Sequence, residues 1–497
     1  MVNRGFRLTL LSLAVLAGAL MPSVACAQSV TGATLFDPDE LARWARNHVA
    51  PETDPDLIAA AIERLYHSQG YLAAEAIPTV SADGTTTIVV HEGRIGAVHL
   101  EGGDAKVQAM VRRFVSPLAD GSPLTIDRLE RQILLAGDQG GIDVTASLSH
   151  PDQVTGMLID ANITQAGAPG AISFDTIPQR PGTTTRLLLQ QEGYSFLTGG
   201  DLARAVGVVT RDQSGELGFA GQLFYRVPIG GRGFFAEAYG GTALAKRDLD
   251  ALDLRNEQRG SQFGMALGYP VIRTIGGALF LVAEAEHLEG RSNTGGLRTR
   301  SSVDALRGHL IATRSFTDGT QLETSFRASF GRSEELDPVV ETFDRDFASL
   351  RAEAGIVTPV SANMFLQIEV EGQLALTDLP EVEHFFLGHL PLVRGYAQGA
   401  VEADSGAAVS VQLDQVFRTS ERSSLTAFAF TDAGLVRQRG IDPDFIRNED
   451  IVSIGGGLTY IRYSGLSLTS WVAMPLADSR LTDAGDPILY VRVTQRW

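Results

Sequence analysis

The C-terminal two-thirds of the chain alternates apolar and polar positions with a period of two. In PILYVRVTQRW, Leu489, Val491, Val493 and Trp497 share one face, with Gln495 its only polar member, opposite Tyr490, Arg492, Thr494 and Arg496. Alternation of this length predicts a strand with one apolar and one wet face. MFLQIEVEGQLAL repeats it, with Leu366, Ile368, Val370, Leu374 and Leu376 against Gln367, Glu369, Glu371 and Gln373. QLETSFRASFGR sets Leu322, Phe326, Ala328 and Phe330 against Glu323, Ser325, Arg327 and Ser329. ELGFAGQLFYRVPI puts Leu217, Phe219, Leu223, Tyr225, Val227 and Ile229 on one side. In a soluble sandwich every apolar face must find a second sheet, whereas charged residues opposite suit a barrel with a hydrated lumen and a lipid-facing exterior. PIGGRG reads as a tight turn, and GRSNTGGLRTRSS and GRSEELDPVVETFDRD read as long polar loops. At roughly 20 residues per strand and connection, residues 171–497 predict a membrane β-barrel of about 16 antiparallel strands.

Residues 28–165 carry a helical period instead. LFDPDELARWARNHVA places Asp37 as N-cap, Pro38 in the first helical position and Glu40 three residues after the cap, a strong helix start. TDPDLIAAAIERLYHSQGY repeats the device with Asp54 and Pro55, runs an apolar stripe through Leu57, Ile58, Ala61, Ile62 and Leu65, and stops at Gly70. Two strand-like segments follow, AAEAIPTV and TTTIVVHEG, joined by SADGT. The order then recurs: IGAVHLEGG as a strand, DAKVQAMVRRFVSPL and TIDRLERQILLAG as helices, IDVTASLSH and GMLIDANI as strands. This predicts two small α/β modules of about 70 residues each, a size that holds its own core.

The first residues, MVNRGFRLTLLSLAVLAGALMPSVACAQ, set Arg4 and Arg7 before an apolar run and end in Ala25-Cys26-Ala27. They predict a signal peptide over 1–27. Ser23 argues against lipoprotein cleavage before Cys26, because that site wants an aliphatic residue there. Cys26 is the only cysteine, so the expected mature chain has no thiol and no disulfide. The formal net charge is -18, which makes nucleic acid and anionic membrane surfaces poor partners. No other run approaches the ~18 apolar residues of a transmembrane helix, so a membrane-embedded mature chain is expected to span as a closed barrel.

Enzyme motifs are missing: the sequence has no H-E-x-x-H, G-x-S-x-G, C-x-x-C or phosphate-binding G-x-x-x-x-G-K-[ST], and its only lysines are Lys106 and Lys246. No catalytic residue, metal site or cofactor is assigned. LSHPD, with Ser147, Ser149, His150 and Asp152, reads as a turn between strands, and NIT at Asn162 as a chance glycosylation sequon.

LIAAAIERLYHSQGYLAAEAIPTV and GTTTIVVHEGRI resemble the first polypeptide-transport-associated (POTRA) module of two-partner-secretion transporters, the haemolysin secretion/activation type. LADGSPLTIDRLERQILLAGDQGGIDVTASL resembles the second. FFLGHLPLVRGYAQGAVEADSGAAVSVQL resembles the family's L-G-G-x-x-x-V-R-G-Y loop followed by G-D-x-G, and FAFTDAGLV its F-x-D-x-G strand. Both motifs are shared with the wider superfamily that includes outer-membrane protein insertases. His389 stands where a second glycine is usual, Leu392 replaces a small residue and Ala403 replaces a glycine. The resemblance implies POTRA modules at 28–95 and 96–165, in the periplasm, and an outer-membrane barrel at 171–497. His91 and Glu92 of HEGRI then fall on a module-exit strand rather than a metal pair. The segment from Gln28 to about Ala33 is expected to be too short for the plug helix of some relatives.

The family implies a lumen loop motif Val393, Arg394, Gly395 and Tyr396, folded into the barrel, and a motif strand carrying Phe430, Asp432 and Gly434. It also implies a C-terminal barrel-assembly signal in Leu489, Val491, Val493 and Trp497. A fixed lumenal arginine is favourable only when a carboxylate satisfies its guanidinium. Asp432 is the expected partner of Arg394, with Glu402 and Asp404 as competitors, and Tyr396 packs on the wall or takes part in gating. The implied function is export of an unfolded partner polypeptide, an adhesin, haemolysin or contact toxin, to the surface of a Gram-negative cell. The implied partners are that polypeptide, outer-membrane lipid and the barrel assembly machinery, with the protein monomeric. An outer-membrane protein insertase and a passive porin are the alternatives.

Overall fold

The computed structural model describes residues 29–48, 54–82, 85–150, 156–178, 183–249, 254–336, 343–388, 392–438 and 448–497. The expected signal peptide, Cys26, Asp152 and His389 lie outside the described residues.

The first α/β module runs β1 (Ser29–Thr31), α1 (Pro38–His48), α2 (Pro55–Ser68), β2 (Glu75–Val80) and β3 (Thr86–His91). Asp37 Oδ1 accepts the Asp39 and Glu40 amides at 3.0 and 2.9 Å, and Asp54 Oδ1 accepts the Asp56 amide at 3.2 Å. The sheet order is β1-β3-β2, with β1 parallel and β2 antiparallel to the central strand. Leu41, Ala45, Ile58, Ile62, Tyr66, Ile88 and Val90 form its core. Ser29–Thr31 forms an edge strand, too short to show a period in the sequence. One expectation is corrected. Leu57 is exposed, because the buried stripe runs through Ile58, Ile62 and Tyr66 at four-residue spacing, one step away.

Glu92, just past β3, is a buried carboxylate that ties this module together. It accepts the Thr34 and Leu35 amides at 2.6 and 2.8 Å, the Tyr66 hydroxyl at 3.0 Å, the Thr34 hydroxyl and, at 2.7 Å, Arg94 Nη2. Burial pushes its carboxyl up, but the Thr34 hydroxyl and the amide donors outweigh burial and hold it below the usual glutamate range.

The second module repeats the arrangement: β4 (Ile95–Gly102), α3 (Ala105–Val115), α4 (Ile126–Gly137), β5 (Ile142–Ser149) and β6 (Met157–Gln165), in the order β4-β6-β5 with β4 parallel to β6. Asp104 caps α3 by accepting the Val107 amide at 2.9 Å.

The barrel strands are β7 (Gly170–Pro178), β8 (Thr183–Tyr194), β9 (Leu202–Arg211), β10 (Leu217–Ile229), β11 (Phe234–Leu249), β12 (Leu254–Thr274), β13 (Gly277–Thr294) and β14 (Leu297–Ser315). They continue with β15 (Gln321–Leu336), β16 (Phe343–Ser361) and β17 (Met364–Ala375), then a loop holding β18 (Phe385–Leu387) and β19 (Val401–Ala403). The wall ends with β20 (Ser405–Ser420), β21 (Ser423–Arg437), β22 (Asn448–Arg462), β23 (Leu466–Pro475) and β24 (Ile488–Arg496). Sixteen antiparallel strands close into a barrel when β24 pairs with β7. Leu217, Phe219, Leu223, Phe326, Phe330, Val370, Leu374, Leu468, Val472 and Leu489 are exposed along the outside, which leaves their polar alternates in the lumen. GRSNTGGLRTRSS is not a long loop: β13 and β14 extend through it around Gly295 and Gly296. GRSEELDPVVETFDRD is likewise strand at both ends. Both stretches alternate polar with polar, so they carry no hydrophobic period to read.

The second module meets the barrel rim through backbone and charge. Arg131 Nη2 donates to the Pro270 carbonyl at 2.6 Å, Arg273 forks onto Asp138 with two bonds of 2.7 Å, and Lys106 Nζ donates to the Phe196 carbonyl at 3.1 Å. At Gly231 a Cβ would fall 2.0 Å from the Arg113 carbonyl, so only glycine lets this turn touch α3.

Glu92→Gln keeps the shape but removes the charge its donors serve, and lowers the first module's stability by about 2 kcal/mol. Hydrogen exchange at the Thr34 and Leu35 amides of the full chain reads this. Because folding depresses the Glu92 value, its contribution is complete above the ordinary 4.5 and is lost as pH falls through the folded value. Protection of both amides, taken relative to their intrinsic exchange rate at each pH, therefore falls on acidification in the wild type, and is already lowered at neutral pH in the variant.

Candidate functional site

The loop between β17 and β20 is rich in apolar side chains, which have no home in water outside the barrel. It buries them instead. β18 and β19 pair as a short hairpin, with Phe385 opposite Ala403 and Leu387 opposite Val401. Phe385, Leu387, Leu392, Val393, Tyr396 and Val401 form one cluster with Ala408, Val436 and Ile451 of the wall. Those three wall residues lie on the inward parity of β20, β21 and β22, so the hairpin sits in the lumen.

At its tip Arg394 meets Asp432 of β21 through three bonds. The Arg394 amide and Nε donate to Asp432 Oδ2 at 2.8 Å each, and Nη2 donates to Oδ1 at 2.9 Å. Nη1 reaches Gln412 Oε1 at 2.6 Å and Nη2 reaches the Ser410 hydroxyl at 2.9 Å, which itself donates to Asp432 Oδ1 at 2.8 Å. The guanidinium lies 3.5 Å from the centroid of the Phe430 ring, a close cation–π contact. Asp432 is 1% exposed. The aspartate's charge, four of the guanidinium's five N–H donors and one of its flat faces are thus matched, the condition under which a buried pair is stable and removal of one partner costs about 3–5 kcal/mol.

Backbone conformation and wall shape admit this tip. Val393 has φ 62°, a left-handed conformation that a β-branched residue adopts only when its surroundings impose it. Gly395 follows at φ 93°, where a Cβ would sit 3.1 Å from Ala473 Cβ and 3.2 Å from Ser453 Cβ. On the wall, a Cβ at Gly434 would fall 2.6 Å from Leu387 Cδ1 and 3.0 Å from Val393 Cγ2. Gly434 is therefore the recess into which the loop docks. The strand runs on past it to Arg437. Tyr396 is fully buried. Its hydroxyl donates to the Val452 carbonyl at 2.7 Å, with the Ala477 carbonyl at 3.0 Å, and accepts the amides of both residues at 3.1 and 3.2 Å.

Of the two competing carboxylates, Asp404 instead accepts the Leu379 amide at 2.9 Å and Gln438 Nε2 at 3.1 Å. Glu402 lies on β19 opposite Phe386. Leu489, Val493 and Trp497 face outward and are exposed, and the Val491 amide donates to Thr176 Oγ1 at 3.1 Å. Among the described residues no group of His, Cys, Asp and Glu is arranged to hold a metal ion.

One group escaped the sequence. From Phe430 an aromatic row passes to Trp471 at 6.1 Å and on to Tyr490, stacked at 5.0 Å. Tyr490 donates to Asp175 Oδ2 at 3.2 Å, and Asp175 also takes Arg186 at 2.9 and 2.7 Å and Arg492 at 2.8 Å. This cluster bridges the closing strands β24 and β7. Alternation placed Tyr490 and Arg492 on the wet face, but their aspartate lies 315 and 317 residues away with no local signal.

Arg394→Ala and Asp432→Ala are each expected to cost about 3–5 kcal/mol of barrel stability, measured as loss of heat-resistant mobility in detergent gels. The double variant loses no more than the worse single one; additive losses would mean the two act independently. Gly434→Val, which fills the recess, is expected to expel the hairpin and leave it open to protease.

Residues 299–460, which include the loop and the motif strand, match the haemolysin secretion/activation protein family ShlB/FhaC/HecB. No curated protein matches the chain in sequence. Among solved structures, CdiB from Escherichia coli superposes with TM-score 0.76 at 17% identity, covering 96% of this chain and 93% of that one. CdiB from Acinetobacter baumannii gives 0.71 at 13%, covering 95% and 89%. BamA from Haemophilus ducreyi lacking POTRA domains 1-3 gives 0.53 at 15%, covering 94% and 99%. These superpositions establish a shared fold. The likeness to the haemolysin secretion/activation family thus lies in residues 299–460 of the barrel, and the fold as a whole, two α/β modules ahead of a closed 16-stranded barrel, is shared with CdiB and BamA.

Proposed function

We propose that the protein exports an unfolded partner polypeptide, a large adhesin, haemolysin or contact toxin, from the periplasm to the cell surface, with both α/β modules on the periplasmic side. The observation that carries this reading is the loop motif Val393 to Tyr396 held inside the lumen by Asp432, on a chain whose barrel matches a secretion family. A barrel built only to pass ions has no need of two α/β modules or of a hairpin fixed to its inner wall.

Each step has a physical basis in the chain. Extended cargo adds as a strand to an open module edge, where main-chain bonds give affinity without demanding one sequence. In the first module β2 is such an edge. The cargo then threads the hydrated lumen. No phosphate-binding loop is present in the sequence, so direction comes from folding of the cargo outside rather than from a nucleotide. The outward face of β24, with Leu489, Val491, Val493 and Trp497, serves insertion by the barrel assembly machinery, and one closed barrel is sufficient as a monomer.

The test pairs the protein with a large secreted polypeptide of repetitive β-rich sequence, sought first in the adjacent gene. Wild-type protein is expected to place that polypeptide on the cell surface, Arg394→Ala to reduce the amount several-fold, and deletion of residues 29–165 to abolish both export and capture of the polypeptide from periplasmic extract. Undiminished export after the deletion rejects the reading. Restored assembly of other outer-membrane proteins, with no cargo exported, would instead assign the insertase role.

A further inference from the structure

The inward loop is fixed at a second place, five strands round the barrel from β21. Ahead of the hairpin, a turn at Glu381–Glu383 reaches β14, where Arg307 Nη2 donates to Glu383 Oε1 at 2.5 Å and Nη1 to Glu286 of β13. Arg307 and Glu383 are 8% and 6% exposed. Leu379 enters a dry cluster with Val303, Ala305, Phe347 and Ala375, and Gln373 Nε2 donates to the Glu383 carbonyl at 2.7 Å. Beyond the tip, the Gln398 amide donates to the Pro178 carbonyl at the end of β7 at 3.3 Å. In the closed strand order β14 and β7 stand seven places apart of sixteen. One loop is thus bonded to nearly opposite walls and lies across the lumen as a bar.

The two attachments are unequal. Around Arg394 every charge is matched, as described above. Around Arg307, Glu383 and Glu286 share one guanidinium, and its Nε has no partner among the described residues. Glu284 is held by His309 at 2.7 Å, and the Tyr239 hydroxyl lies against Glu284 and, at 2.8 Å, Glu286. A guanidinium divided between two carboxylates, with its Nε unbonded, holds each less firmly than Arg394 holds Asp432, so this attachment is the easier one to break. Beside it Val382, 53% exposed, forms one side of a cavity of about 440 Å³ whose other walls include Val206, Ala220, Gly241, Ala243 and Val303. Apart from Gln222, Gln262, Leu288 and Glu289 the lining is built of small residues and valines, so a turn freed from Arg307 has room to move.

We propose that Arg307 and Glu383 form the releasable end of the bar: the pair holds the Glu381–Glu383 turn across the resting lumen, and its separation widens the passage along β9–β14 while the Arg394 anchor keeps the hairpin inside. Both are positioning residues, and the proposal rests on the export reading for what passes through.

Purified full-length protein in planar lipid bilayers tests it, with potassium chloride as the permeant salt. Glu383→Gln, nearly isosteric and on the loop side, is expected to raise occupancy of the large-conductance state at least about tenfold while heat-resistant mobility in detergent gels stays intact. Arg307→Gln does the same, and the double variant opens no further than the stronger single one. Glu402→Gln, on the same hairpin away from Arg307, conducts as wild type. Wild-type conductance of Glu383→Gln, loss of its folded barrel, additive single effects, or an equal rise with Glu402→Gln each overturns the proposal. Conductance is read without cargo, so failure of the export reading would leave this result untouched, and the reverse.

Discussion

A charge inside a membrane barrel has two stable options: solvation by lumenal water, or a partner on the wall. Arg394 takes the second, and the site depends on that choice. Left in water, the loop would keep its freedom and expose Leu387, Leu392 and Val393. Held by Asp432, Ser410 and Gln412, it trades that freedom for burial of a continuous apolar cluster. The magnitudes allow the trade. A left-handed Val393 costs about 1–3 kcal/mol, whereas a buried, well-bonded pair loses about 3–5 kcal/mol when one member goes. The strain at Val393 persists because the bonds on either side of it determine where it must lie.

The wall is cut to match. On the β20–β23 side, inward positions are small where the hairpin lands, at Ala408, Gly434, Ser453 and Ala473, while the bulk comes from the loop. On the β9–β14 side small residues also face inward, at Ala220, Gly241 and Ala243, but no bulky partner meets them and a cavity remains. The lumen is therefore divided into a filled half and an open half.

The sequence carried most of this architecture because barrel strands write their two environments into alternate residues. Leu489 against Tyr490, or Leu374 against Gln373, is readable without any partner known. The same rule failed where both faces are polar, so the ends of β13 to β16 passed for loops. It failed again for Ser29–Thr31, where three residues set no period. Arg394 and Asp432 were legible through their motifs. Ser410 and Gln412 were not, since nothing separates them from other wet-face residues until β20 is laid beside β21. Asp175 shares a bond network with Tyr490 only because the first strand of the barrel closes on the last. Such contacts exist in the closed ring and in no shorter segment of it.

Closure and passage place opposite demands on one loop. A loop secured only by its motif would swing freely and leave the barrel permanently leaky. One secured completely at both ends would never yield. An ion pair that shares its guanidinium with a second carboxylate meets both demands: it is buried enough to hold against thermal motion, yet the guanidinium keeps Glu286 as a partner when Glu383 departs, so opening strands no buried charge on the wall. The departing Glu383 moves toward the hydrated half of the lumen, where water replaces its bonds. By contrast, freeing Arg394 would strand Asp432 behind Phe430 at 1% exposure, with only Ser410 left to serve it. The asymmetry in charge matching thus selects which end of the bar moves and which end remains the hinge.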